Sequence, residues 1–139
     1  MRITIIQTRK PLEQNINLDM QWVGESLGLF SVRDREKSCF RIFVEILKSA
    51  RKGRSLSTDE LAEKTKLTRA TVIHHLNNLI SKGLVVLVNG SYSLRENTLS
   101  NTIKEMKKDM TRSFESIEEV SKDIDSELGI IKKQSHTLD

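Results

Sequence analysis

The sequence predicts a mainly α-helical fold with one small β-hairpin and a long C-terminal helix. The composition agrees, because 30% of the 139 residues are charged, 4% are aromatic and one is proline. Two consecutive segments carry helix-start signals, an Asn-Gly pair separates two β-type runs, and apolar residues later recur in heptads. We therefore divide the chain into an N-terminal extension (1–30), a central domain (31–96), a long helix (97–134) and a tail (135–139).

The N-terminal extension contains two short predicted elements. The stretch "RITIIQT" is rich in β-branched residues, which favours a strand. Leu18, Trp22 and Val23 then occupy one face of a short helix, and Gly28 is suited to end it in a left-handed conformation. The sequence leaves two roles open for this extension, namely bracing a dimer and covering the core.

The central domain opens with a helix that we expect to begin after Ser31. Ser31 is a good N-cap residue, and Asp34 stands three positions later. The helix should end near Gly53, and residues 54–56 form a brief strand or a linker. The apolar residues that recur at helical spacing are Phe40, Phe43, Val44 and Leu47.

Two shorter helices follow, each with its own start signal. In the first, Ser57 and Glu60 form a capping box across which Leu56 and Leu61 are placed as a hydrophobic staple. This predicts a helix over about 58–66.

The second of these helices spans 68–82. Thr68 is its N-cap, Leu67 and Val72 form a possible staple, and Gly83 supplies the left-handed C-cap. The spacing i, i+4, i+7 and i+8 predicts one apolar face. That face comprises Val72, Leu76, Leu79 and Ile80.

A hairpin completes the central domain. "LVVLVNGSYSL" consists of two short β-type runs around Asn89-Gly90, the strongest two-residue hairpin signal. Helix, turn, helix and hairpin in this order predict a winged helix-turn-helix over 31–96, with 68–82 as its recognition helix.

After the hairpin, apolar residues follow a 4-3 heptad spacing through a long stretch without glycine or proline. Ser113 and Glu127 are polar exceptions at d, while Phe114 and Leu128 broaden the seam at e. A helix of roughly 45–50 Å needs apolar cover, most simply from a second copy of itself. The residues predicted to mediate dimerisation are Leu99, Ile103, Met106, Met110, Ile117, Val120 and Ile124.

The segment from Leu56 to Leu94 resembles the DNA-binding domain of ArsR-type and related archaeal-type transcriptional regulators. It is also similar to MarR-like and TrmB-like domains. The ArsR-type recognition helix commonly reads Ser/Thr-x-x-Thr-Val-x-x-His-Leu-x-x-Leu-x-x-x-Gly-Leu-Val. The matching residues are Thr68, Thr71, Val72, His75, Leu76, Leu79, Gly83, Leu84 and Val85. The resemblance implies a winged helix-turn-helix regulator that binds double-stranded DNA.

The chain departs from this resemblance at the sites where some ArsR-type members sense metals. Those members carry cysteine clusters before the recognition helix or Asp/His sites on the last helix. This chain has one cysteine, Cys39, and its only histidine after the recognition helix is His136. We therefore expect no metal or other cofactor, and the effector stays unassigned. The wing tip at 89–91 also lacks the Arg or Lys often found there, although Arg95 follows.

The adjacent histidines His74 and His75 do not form a metal or catalytic pair. Neighbouring helical residues diverge by about 100°, whereas helical metal pairs stand about four residues apart. The sequence contains no recognisable set of nucleophile, base and orienting group, and no Gly-rich phosphate loop. An enzyme is therefore not expected.

The outward face of the recognition helix is polar and nearly uncharged. A merely solvated face is the alternative, but such faces usually carry Glu and Lys. Because N-terminal residues of a recognition helix contact base edges in the major groove, we predict base reading by Thr71 and His74. Ala70 would meet a thymine methyl group, and Asn78 would pair with adenine. His75 is assigned to packing or a phosphate contact.

Phosphate contacts are expected at the N-termini of the two short helices, near the hydroxyls of Thr58 and Thr68. Arg69 stands at the first helical position, where its charge opposes the helix dipole, and this favours an anionic partner. Arg95 is also assigned to DNA. The basic residues in 51–54 form a further cluster that is equally well explained as a solvated helix end.

The positive charge is concentrated in the first part of the chain. Residues 1–98 carry 16 lysines and arginines against 10 acidic residues, an excess of +6, whereas residues 99–139 carry 7 against 9, a balance of −2. A polyanion would therefore bind the first part. The longest apolar run, Leu84–Val88, is far shorter than a membrane span, and the first residues do not resemble a signal peptide. We expect a cytoplasmic protein without a membrane partner.

These observations predict a sequence-specific DNA-binding transcriptional regulator that acts as a homodimer, with the helix over 68–82 in the major groove. The alternative is a winged-helix protein–protein interaction module in a transcription or other nucleic-acid assembly, which the near-neutral wing favours. The long helix would pair two copies in the first case and bind a different partner in the second.

Overall fold

A computed structural model describes residues 1–131 of the chain, and it confirms the mainly helical class with a hairpin wing. The chain divides into two compact units, residues 1–106 and residues 107 onward. Among the described residues, no helix combines the length and apolarity that crossing a membrane requires. The elements in chain order are α1 (Ile16–Ser26), α2 (Ser38–Ala50), α3 (Thr58–Thr65), α4 (Arg69–Ser81), β1 (Val85–Val88), β2 (Ser91–Leu94) and α5 (Leu99–Leu128).

The predicted strand at the N-terminus is wrong. Residues 1–10 form no ladder with another strand; single backbone bonds hold them instead. The N–H of Arg2 donates to the carbonyl of Ser81 at 2.6 Å, and the N–H of Ile6 donates to the carbonyl of Ser26 at 2.8 Å. The segment therefore contacts the last residues of both α4 and α1.

The short helix predicted within the extension is confirmed as α1. The Asn15 side chain caps its first turn, and Gly28 follows its end with φ +72°. A Cβ built on Gly24 would lie 2.7 Å from Cδ1 of Phe40, so glycine permits the close approach of α1 to α2. The rings of Phe30 and Phe40 stack beside this contact with centroids 4.7 Å apart.

Helix α2 begins at Ser38, and the prediction that it begins after Ser31 is wrong. Residues 31–37 form turns that end with Lys37 at φ 56°. The cap is the Asp34 carboxylate, which accepts from the backbone N–H of Ser38 at 2.8 Å and of Cys39 at 3.0 Å. Burial acts to raise the pKa of Asp34, but these hydrogen bonds outweigh it and hold the pKa below its ordinary value.

The start signals of the two short helices are confirmed. Ser57 and Glu60 form a reciprocal capping box, with both hydrogen bonds at 3.1 Å. At α4, the Thr68 hydroxyl accepts from the N–H of Thr71 at 3.2 Å. These caps satisfy backbone donors that the first turn of a helix leaves without partners.

The hairpin also forms as predicted. β1 and β2 pair antiparallel, and Asn89 and Gly90 at the turn both have positive φ, as a type I′ turn requires. Leu56 adds a single bridge to Tyr92, with backbone hydrogen bonds of 2.9 and 2.7 Å. Of the two alternatives at 54–56, a brief strand or a linker, the structure shows mainly a linker, in which Leu56 alone bridges to a strand.

The core lies where α2, α3, α4 and the wing meet. Ile80, which the sequence places on the apolar face of α4, is instead 36% exposed. It lies about 80° around the helix from Val72, outside the narrow stripe that is buried. The most deeply buried core residues include Ile42, Phe43, Ile46, Leu61, Val72, Leu76, Leu79, Leu84 and Val85.

The long helix α5 begins within the first unit. Leu99 and Ile103 pack against the core, and Met106 is part of it at 4% exposure. The Thr102 hydroxyl, also fully buried, donates to the carbonyl of Thr98 and accepts from the N–H of Glu96. The first heptad residues are therefore covered by the chain itself.

In the second unit, α5 presents uncovered apolar side chains. The helix ends at Leu128, before the predicted limit of 134, because Gly129 adopts φ +66°. Residues 132–139 lie outside the described part, and so do His136 and the predicted tail. The exposed apolar residues are Phe114, Ile117, Val120, Ile124 and Leu128, at 51–70% exposure.

Candidate functional site

Helix α4 presents two faces of opposite character. Val72, Leu76 and Leu79 are completely buried, so they fix the rotation of the helix about its axis. Ala70 and His74 are consequently exposed, as the spacing predicts. The outward face is thus carried by a helix that the core holds in one orientation.

The N-terminal turn of α4 is stabilised by two threonines. The Thr68 hydroxyl donates to Oγ1 of Thr71 at 2.9 Å, besides accepting from its backbone N–H. Thr71 is half-buried, whereas Thr68 is exposed. The hydroxyl of Thr71 is therefore oriented by the cap before any partner arrives.

Arg69 forms an ion pair that the sequence did not reveal. Its guanidinium contacts the carboxylate of Asp59 in the first turn of α3, next to the half-buried Thr58. The two side chains are 62% and 73% exposed, so water screens the pair and its contribution to stability is small. The pair links the N-termini of α3 and α4, and the guanidinium is free to exchange partners.

The two adjacent histidines occupy different environments. His74 is exposed, whereas His75 is half-buried, and their rings meet edge to face with centroids 5.1 Å apart. Burial lowers the pKa of His75 below its ordinary value, although the charge of Asp34 acts in the opposite direction. His75 is therefore mainly neutral at pH 7 and packs toward the start of α2.

Asn78 is turned toward α2. Its side-chain amide donates to the Sγ atom of Cys39 at 3.8 Å. Cys39 is 3% exposed, and burial raises its pKa to about 11, which keeps the thiol neutral and unreactive. The contact joins residues that are 39 positions apart, so no local pattern could have predicted it.

The wing has its basic residue at the base and exposes two apolar residues on β1. Arg95 lies at the base of the hairpin, where its Nη1 atom is 3.1 Å from the position of a Cβ built on Gly83. Strand β1 instead exposes Leu87 at 51% and Val88 at 58%. The basic residues at 51–54 are exposed on the loop after α2.

A cavity of about 590 Å³ separates the turns at 31–37 from the outward face of α4. Its lining includes Arg33, Asp34, Cys39, His75 and Asn78. Nowhere in residues 1–131 do three or more His, Cys, Asp or Glu side chains gather as a metal site. The cavity is therefore lined by hydrogen-bonding and charged groups without a metal-ligand cluster.

Comparison with known proteins identifies the central segment. Residues 44–86, less than a third of the chain, match the family model of the bacterial regulatory proteins of the arsR family. No curated protein and no solved structure matches the chain. The matched residues run from α2 through both short helices into β1. The winged helix-turn-helix of this chain is therefore similar to that of the arsR family of bacterial regulatory proteins, as its sequence predicts.

Proposed function

We propose that the chain is a sequence-specific DNA-binding transcription regulator that inserts α4 into the major groove. The observation that carries this proposal is the exposed, polar and nearly uncharged face of α4 within the segment that matches the arsR family. A match to a regulatory family also favours a regulator over an enzyme. In the proposal, Ala70, Thr71 and His74 contact base edges from the N-terminal half of the helix.

The remaining contacts in the proposal require two exchanges of partner. Arg69 leaves Asp59 for a phosphate, which costs little because the pair is exposed. Asn78 leaves the Cys39 thiol, a weak acceptor, for the N6 and N7 atoms of an adenine. Thr58, Thr68 and Arg95 contact phosphates from the helix N-termini and the base of the wing.

The proposal also includes a homodimer that forms through the second half of α5. Of the exposed side chains there, Ile117, Val120 and Ile124 follow the 4-3 spacing of a coiled coil, and a second copy of the same helix has the same spacing. Phe114 and Leu128 flank this seam at e positions. Because Leu99, Ile103 and Met106 pack against their own core, the pairing surface lies from Met110 onward.

Selection of bound sequences from random duplex DNA, at near-physiological salt, tests this function. A two-fold dimer should enrich a pseudo-palindrome with half-sites about one helical turn, roughly 10 base pairs, apart. Failure to enrich any sequence would refute sequence-specific binding. Enrichment of a single half-site would retain DNA binding and refute the dimer.

A protein–protein interaction module is the second candidate, and the wing favours it. Leu87 and Val88 expose apolar surface on β1, and no basic residue stands at the turn. Wings that bind DNA usually contact its phosphates, and basic residues strengthen these contacts. Two results together would favour this candidate. The chain would bind no DNA even at low salt, and a variant with Leu87→Ser and Val88→Ser would lose a protein partner.

A further inference from the structure

The part of α5 that lies in the second unit carries opposite charge at its two ends. Residues 107–112, the basic end, hold three basic residues and one acidic residue, an excess of +2. Residues 123–128, the acidic end, hold three acidic residues and no basic one, a balance of −3. They form the last turns of the helix, where the helix dipole disfavours negative charge. Each end therefore carries the charge that would stabilise the other.

The apolar face of this part of α5 also changes along its length. A groove of about 440 Å³ begins at the basic end, and Met110, Phe114 and Ile117 form the apolar part of its lining. Farther along the helix, Ile124 and Leu128 are 51% and 70% exposed and do not line this groove. One stretch of α5 thus offers a groove, and the other offers two apolar side chains that can enter one.

Two copies of α5 can pair in parallel or antiparallel, because the apolar spacing permits either orientation. A parallel pair brings like-charged ends together and leaves each groove level with the other groove. An antiparallel pair brings each acidic end to a basic end, where opposite charges attract. It also sets Ile124 and Leu128 level with the groove of the other copy. Residues 113–122 face each other in both orientations, so the two ends decide between them.

We propose that the apolar face of α5 docks on the same face of a second copy in the antiparallel orientation, with the two-fold axis beside Glu119. In this register Met110 lies level with Leu128 of the second copy, and Phe114 lies level with Ile124. The exposed side chains near the end of one helix therefore enter the groove of the other. This inference rests on the homodimer of the proposed function and adds the direction in which its helices run.

A second copy suits this surface because α5 itself supplies every complementary feature. Arg112, at the basic end, lies level with residue 126 in this register, between Asp125 and Glu127 of the second copy. Lys107 is exposed on the lining of the groove, at the same end of the helix. Exposed charge pairs are individually weak, so they select the orientation, whereas apolar burial supplies most of the affinity.

Distances between spin labels on the full chain test the orientation. Glu119→Cys and Ser126→Cys introduce exposed label sites at equivalent heptad positions. The native Cys39 is buried, so the wild type treated in the same way should take up no label. In the antiparallel register the two labels at 119 are level, whereas those at 126 stand about 21 Å apart along the axis. Pulsed EPR should therefore give a longer distance at 126 than at 119. Equal distances would show a parallel pair and overturn the proposal.

A mixed dimer reverses this expectation. A Ser126→Cys chain is paired with an Arg112→Cys chain that carries a distinguishable label. The two labels are level in the antiparallel pair and about 21 Å apart along the axis in a parallel pair. The proposal requires the mixed distance to be shorter than the distance between two labels at 126. The opposite order would overturn it, even if a substitution weakens the dimer, because only dimers contribute a distance.

Light scattering on the same samples separates this inference from the proposed homodimer. A dimer with the longer distance at 126 supports both. A dimer with equal distances at 119 and 126 retains the homodimer and overturns the antiparallel orientation. A monomer at every concentration overturns both and leaves the apolar face of α5 to a different protein. None of these outcomes depends on DNA binding, which the selection from random duplex DNA tests separately.

Discussion

Helix α4 and the second half of α5 are both amphipathic, but they differ in which face is uncovered. In α4, Val72, Leu76 and Leu79 are fully buried and the polar face is exposed. In α5, Ile117 and Ile124 are 60% and 51% exposed, with no apolar cover from residues 1–131. The central apolar stripe of α4 is packed within the chain, although Ile73 and Ile80 beside it are 37% and 36% exposed, whereas the apolar stripe of the second half of α5 is mainly exposed.

This difference indicates how each helix would act. A helix whose apolar face is already buried offers polar groups in fixed positions, which suits discrimination between hydrogen-bonding partners. A helix whose apolar face is open gains free energy from any apolar partner of matching spacing, which suits assembly. We therefore expect substitutions on the exposed face of α4 to change DNA specificity without unfolding the chain. Substitutions on the exposed apolar face of α5 should change the oligomeric state without unfolding it.

Truncation of an apolar residue should have the largest effect in α4. Leu76→Ala leaves a cavity in the core and should lower the free energy of unfolding by about 2–5 kcal/mol. Ile117→Ala, made in diluted protein where monomers prevail, should change it by about 0.5 kcal/mol or less, since the side chain is mainly exposed. Urea denaturation of both variants measures the difference, and equal losses would refute the contrast between the two helices.

Charges on the open face of α5 should prevent assembly without unfolding the chain. Ile117→Asp combined with Ile124→Asp should give monomers in light scattering, because a paired seam would bury two carboxylates from each copy. The matched control is Thr111→Asp with Ser126→Asp, which adds the same charge at b and c positions of the heptads and should stay dimeric. A monomeric wild type would refute the homodimer directly.

The sequence predicted those elements whose signals are local. The Ser57–Glu60 capping box, the Thr68 cap and the Asn89-Gly90 turn each act within four residues, and all three form. The start of α2 was misplaced because the capping group, Asp34, reaches four and five residues ahead rather than the usual two or three.

Features that depend on distant partners could not be predicted. The Arg69–Asp59 pair and the contact of Asn78 with Cys39 join separate helices. The N-terminal segment has strand-like composition but meets no strand to pair with. Lys82 appears in the sequence as one more surface lysine, because nothing near it predicts that the N-terminal segment will cover the end of α4.

Removal of the His74 side chain should change the sequence specificity of DNA binding, whereas removal of the neighbouring His75 side chain should not. His74→Ala should lose about 1–3 kcal/mol of discrimination at a single base position, the range for one direct base contact. His75→Ala, at the half-buried neighbour, should leave the base preference unchanged. Selection from random duplex DNA measures both variants. An unchanged preference in His74→Ala would remove this side chain from base reading and reduce the exposed face to solvated surface.

The smallest expected effect, on non-specific affinity, comes from the exposed pair at the start of α4. Arg69→Ala should weaken binding to all sequences alike and lower the slope of log K against log salt by about 0.9, the value for one phosphate contact. Asp59→Ala provides the opposite test, because it removes the carboxylate that competes for the guanidinium. It should raise the affinity of every sequence at low salt. Titrations by fluorescence anisotropy at several salt concentrations measure both slopes. If Asp59→Ala and Arg69→Ala both leave the affinity unchanged, the pair belongs to the folded surface alone, and the N-terminus of α4 does not contact phosphate.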